Sequence, residues 1–83
     1  MDMLKIVKEY HCNVEQSDEH FNYCEQHLAM VDKHIVVEGL IETFTTVYKD
    51  TLAGKFYKAS ATYTCEGCWR NTKLVGSDCI EVQ

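Results

Sequence analysis

Apolar positions along this chain follow two competing rhythms, and the choice between them decides the fold. In residues 3 to 14, MLKIVKEYHCNV, Leu4, Ile6, Tyr10, Cys12 and Val14 alternate as on a strand, with Lys8 out of pattern. Met3, Ile6, Val7 and Tyr10 also share a helical face, but the alternation favours a strand. Ser17 then offers an N-cap, and Asp18 and Glu19 fall in the first turn that follows, where a helix dipole favours carboxylates. Phe21, Cys24, Leu28, Val31 and Ile35 fall on one side of a helical wheel, which predicts an amphipathic helix over about 18–31.

A second helical stripe follows in Val37, Ile41, Phe44, Tyr48 and Leu52. With a break near Asp32–His34, the two stripes would face one core as a helical hairpin. Gly54 then suits the residue just past a helix end. The threonines and Val47 lean toward strand, yet the helical spacing is cleaner.

From Lys55 the period changes to two. Tyr57, Ala59, Ala61, Tyr63 and Cys65 alternate with Lys58, Ser60, Thr62 and Thr64, the mark of a half-buried strand. CEGC makes a tight turn, Trp69 to Val75 returns as a partner strand, and GSD at 76–78 turns again into a short strand at Cys79, Ile80 and Val82. The expected fold class is therefore α+β: a helical hairpin packed on a small antiparallel sheet of two or three strands, closed by a zinc-knuckle turn.

Composition adds limits. At 83 residues the chain is one domain, 1–83, with a small core that a staple would help. No apolar run reaches the length that spans a bilayer, and MDMLKIVKEYH lacks a secretory apolar region. These features predict a cytoplasmic protein that begins at its own start methionine. Residues 9–50 hold nine acidic residues against two lysines, and Arg70 is the one arginine. A basic stripe for phosphates is missing, so a nucleic-acid partner is not expected, and a basic or apolar protein surface fits better.

The strongest chemical signal is TCEGCW. Two cysteines spaced by two residues, one of them Gly67, at a turn between strands can aim both sulfurs at one ion. This knuckle resembles those of zinc-ribbon and treble-clef modules, which implies metal binding over these four residues. Half a tetrahedral shell remains to be filled, and Cys24-x-x-His27 supplies a pair on one helical face. The expected site is Cys24, His27, Cys65 and Cys68 around zinc, with His11, Cys12 and Cys79 as competing ligands. The plain alternative makes Cys12, Cys24 and Cys79 small buried apolar residues, and His20 and His34 edge residues of a helix.

No enzyme signature stands in the chain: there is no phosphate loop, no HExxH and no nucleophile elbow. The expectation is a non-enzymatic zinc-binding protein that acts on a protein partner, as an accessory or viral regulator or inhibitor. Phe56, Trp69, Asp18 and Glu25 are the candidate contact residues, the aromatics because Trp and Tyr types dominate binding hot spots. Two alternatives remain: a thiol–disulfide protein using Cys65 and Cys68, and an acidic mimic of nucleic acid. A zinc hydrolase ranks below both because no general base is visible.

Overall fold

A computed structural model describes residues 2–65 and 72–83. Among these described residues two helices precede four strands: α1 (Met3–His11), α2 (Asp18–His27), β1 (Leu28–Glu38), β2 (Ile41–Asp50), β3 (Lys55–Cys65) and β4 (Thr72–Val82). The strands form an antiparallel meander in the order β1-β2-β3-β4. The class is α+β, with two helices packed on an antiparallel sheet.

The N-terminal segment takes the helical of its two rhythms. Ile6 and Val7, adjacent in sequence, are both buried, as on the core-facing side of a helix and not on alternating faces of a strand. Asp2 caps α1 by accepting from the Lys5 amide at 3.3 Å. Its end is a left-handed cap: Asn13 sits at φ 56, its amide donates to Tyr10 O, and the Val14 amide donates to Glu9 O. Helix α2 starts where the sequence places it, with Ser17 Oγ accepting from the His20 amide at 3.3 Å.

The second half of the expected helical hairpin is instead sheet. Leu28 leaves α2 with extended dihedrals (φ −91, ψ 123) and opens β1. Val31, Ile35, Val36 and Val37 pack better on a pleated surface than in a helix. Residues 41–50 form β2, where Thr46, Tyr48 and Asp50 are buried two apart. The 4-3-4 spacing of Val37, Ile41, Phe44 and Tyr48 coincides with a helical stripe, but cross-strand pairing from Leu28↔Asp50 to Glu38↔Ile41 wins. Gly54, expected just past a helix end, instead closes the turn between β2 and β3 at positive φ (70), which glycine adopts freely.

Strand β3 matches its alternation. The expected turn at Gly76–Asp78 does not form: β4 runs through it and absorbs one extra residue, Val75, as a bulge between the pairs Tyr63↔Leu74 and Thr62↔Gly76. The zinc-knuckle turn, including Cys68, and the contact candidate Trp69 lie outside the described residues.

One face of the sheet carries the helices. Val7 of α1 packs with Tyr48, Tyr57, Ala59 and Cys79, and Met3, Tyr10 and Leu28 flank them. Ala59 and Ala61, both nearly inaccessible, leave room for a helix to approach. The opposite face bears no helix among the described residues. There Thr43 and Thr62 hydroxyls meet at 3.3 Å, and Thr45 and Ser60 at 3.1 Å, as cross-strand pairs. No described helix is long and apolar enough to cross a membrane.

Candidate functional site

Three features of this frame carry chemistry: a buried carboxylate at one end of the sheet, a groove beside α1, and the outer edge of β1.

Asp50 ends β2 and is 0% exposed. Its Oδ2 accepts from the Tyr23 hydroxyl at 2.6 Å, and its Oδ1 accepts from the amides of Leu52 (3.0 Å) and Ala53 (3.1 Å). Burial alone would raise its pKa, but these donors outweigh burial and hold the carboxyl below the usual aspartate value. The same contact, with burial added, pushes Tyr23 up to about 12. This cluster binds α2 to the β2–β3 turn, where the Thr51 amide also donates to His27 O at 2.8 Å. All of its polar atoms are matched within the fold, which marks it as architecture.

Beside α1 the sheet face stays open and forms a groove of about 410 Å³, bounded by His11, Met30, Lys33, Phe44, Tyr48 and Tyr63 among others. His11, the last residue of α1, is fixed in its wall. Its Nε2 lies 2.9 Å from Phe44 O and its Nδ1 2.9 Å from Tyr48 Oη. A carbonyl only accepts, so Nε2 carries the proton, and in the neutral ring Nδ1 accepts from Tyr48. Both ring nitrogens are thus engaged, which leaves this histidine no free atom for proton transfer to a ligand.

The expected metal ligands separate. Cys24 is 0% exposed on the buried face of α2, and the His27 ring packs tilted against Tyr23 with ring centroids 4.7 Å apart. Both belong to the end of the sheet marked by Asp50 and Thr51. Cys65 lies at the far end of β3, where its amide donates to Leu40 O at 3.0 Å. The eleven-residue run from Lys55 to Cys65 spans about 30 Å at the usual strand rise. A zinc ligand must stand about 2.3 Å from the ion, so Cys24 and His27 do not share one with Cys65 in this arrangement. Among the described residues, no three His, Cys, Asp or Glu side chains stand together as a metal site.

The buried thiols sit in surroundings that oppose ionisation. Burial first, then the charges of Asp50 and Glu25, push Cys24 up to about 11. Burial and the Asp78 carboxylate push Cys79 to about 11 against the pull of Lys8. Burial raises Cys12, which Ser77 and Lys8 partly offset. These are thiols at neutral pH, the protonation state of packed residues and not of nucleophiles.

Among the expected contact residues, Asp18 and Glu25 are exposed on α2, and Glu25 accepts from the Tyr10 hydroxyl at 3.0 Å. Phe56 is half-buried on the helix-free face, with the Lys49 ammonium 5.7 Å from its ring centroid.

The edge of β1 was not foreseen. From Ala29 to Glu38 every residue of this strand is exposed. Among the described residues it is paired on one side only, and Ile35, Val36 and Val37 are 48%, 39% and 59% exposed. The signal was present in the run HIVVE, which is too apolar for a surface helix and rich in β-branched residues.

Comparisons with protein families, with curated proteins and with solved structures give no match to this chain.

Proposed function

We propose that this chain is a non-enzymatic interaction module that binds a protein partner along the open edge of β1. The observation that carries the reading is the exposed apolar run Ile35–Val36–Val37 on an edge strand. An unpaired edge presents alternate backbone donors and acceptors as a template for another strand, and flanking apolar side chains add specificity. The acidic α2 face with Asp18 and Glu25, and the Phe56 and Trp69 aromatics, are secondary contact candidates. A regulator or inhibitor of another protein fits a chain of this kind, whose exposed features are docking features.

The zinc proposal keeps one support, the Cys65-x-x-Cys68 spacing. Two thiolates fill half of a tetrahedral shell, so zinc held there needs ligands other than Cys24 and His27.

The test of the edge reading is comparative retention. Wild-type protein and a Val36→Lys variant are immobilised and exposed to an extract of the native host. Lysine on an edge strand blunts pairing while leaving an exposed position otherwise undisturbed. Proteins held by the wild type and lost with Val36→Lys support the reading. Identical retention by both contradicts it.

A further inference from the structure

The two edges of the sheet are not equally open. On β4 the Val75 bulge interrupts the outer edge midway, and Lys73, Asp78 and Glu81 stud the strand around it. On β1 an extra residue, Val31, sits between the pairs Met30↔Tyr48 and Asp32↔Val47, and the charged Asp32 and Lys33 follow at once. Bulges and charges are the devices by which edge strands are kept from pairing. One stretch is free of bulges and carries three apolar residues in a row: Ile35, Val36 and Val37, between His34 and Glu38, running to the turn at Gly39 (φ 61).

We infer that this stretch pairs with the same stretch of a second copy, antiparallel about a twofold axis at Val36, to make one continuous eight-stranded sheet. The inference rests on the edge reading above and names its partner. Register follows from charge and face. Two copies that extend one sheet must set residues of the same face opposite each other, so the axis falls at a residue and not between two. An axis at Lys33 sets lysine against lysine and crosses the bulge. At His34 it sets histidine against histidine and leaves Glu38 against Met30. At Ile35 it sets Asp32 against Glu38 twice. At Val37 it leaves Glu38 against Val36.

The axis at Val36 sets His34 against Glu38 twice, so that imidazole N–H groups can donate to carboxylates on the helix-free face. Ile35 meets Val37 twice on the helix-bearing face, and Val36 meets its own copy. No like charges oppose each other, and Val31 stays outside the paired stretch. Five paired residues on each side bury less surface than a permanent dimer does, so the association is weak and concentration-dependent.

Sedimentation velocity over a concentration series, in reducing buffer, tests the register through a charge swap. His34 and Glu38 are four residues apart on one strand, too far to meet within a chain but opposed between copies. His34→Glu, which sets carboxylates against each other, and Glu38→Lys, which removes the acceptor, should each raise the dimer dissociation constant about fivefold or more, given typical cross-strand pair energies acting twice. The double variant His34→Glu with Glu38→Lys should return it to near the wild-type value. A wild type that stays monomeric at the highest concentration overturns the inference, as does a double variant no stronger than the weaker single. A monomeric wild type whose retained proteins are still lost with Val36→Lys removes only the self-pairing. A dimer insensitive to His34→Glu and to Val36→Lys, with retention also unchanged by Val36→Lys, removes both.

Discussion

The Tyr23 hydroxyl donates to Asp50 Oδ2 at 2.6 Å, joining the middle of α2 to the last residue of β2 across 27 positions of sequence. This bond and the two turn amides on Oδ1 give Asp50 its low pKa, and the sign of the consequence is fixed. A carboxyl whose folded value lies below its unfolded value of about 3.9 stabilises fully above that pH, and the contribution disappears as pH falls through the folded value. Asp50→Asn should therefore lower stability at neutral pH and flatten the acid limb of the unfolding curve below about pH 4. Tyr23→Phe should cost about 2 kcal/mol in urea titrations, the usual worth of a hydrogen bond to a charged group. On the alkaline side the direction reverses. Tyr23 and Tyr10, each pushed up to about 12, stabilise the fold below their unfolded value near 10 and lose that contribution as pH rises from there to about 12.

The His11 ring links the end of α1 to β2 through Phe44 O and Tyr48 Oη. His11→Ala would leave the hydroxyl of the buried Tyr48 without that partner, a loss of roughly 1–3 kcal/mol. Thermal unfolding of His11→Ala and of the double variant with Tyr48→Phe measures it. The double variant should recover part of the loss, because no orphaned hydroxyl remains.

What the chain reveals unaided depends on how local each signal is. The cap of α2 at Ser17 and the alternation of β3 are set by neighbours in sequence, and each is legible there. Residues 37–52 were not, because Phe44 and Tyr48 satisfy a helical stripe and a strand face within the same window. Pairing with β1 and β3 decides between them, and that is a tertiary effect. The N-terminal segment misled for the opposite reason: the buried neighbours Ile6 and Val7 carried the helical signal, while Leu4 and Val14, both exposed, supplied much of the apparent alternation. For the metal site, Cys24-x-x-His27 and the Cys65 end each had local merit. Their separation follows from strand length, which residue spacing alone does not convey.

Cys12, Cys24 and Cys79 are buried thiols. In the folded protein near neutral pH they should resist alkylation by iodoacetamide, and all should react once urea unfolds the chain. Mass spectrometry of labelled peptides reads the difference. Rapid labelling of Cys24 in the native state would contradict its placement on the buried face of α2.

Metal content separates the ligands proposed from sequence. If zinc co-purifies with the protein, Cys24→Ser and His27→Ala should leave the zinc per chain unchanged, while Cys65→Ser should lower it. Elemental analysis of the three variants decides this. Loss of zinc with Cys24→Ser would mean that α2 and the far end of β3 meet in solution, against the arrangement described here.

The most direct measurement for the open edge is amide hydrogen exchange along β1 in dilute and in concentrated protein. Self-pairing at Val36 predicts that outward-facing amides within residues 34–38 gain protection as concentration rises, while those of Ala29–Asp32 and of β4 do not change. Exchange at 34–38 that stays the same at every concentration, or protection that appears on β4 instead, would contradict the account.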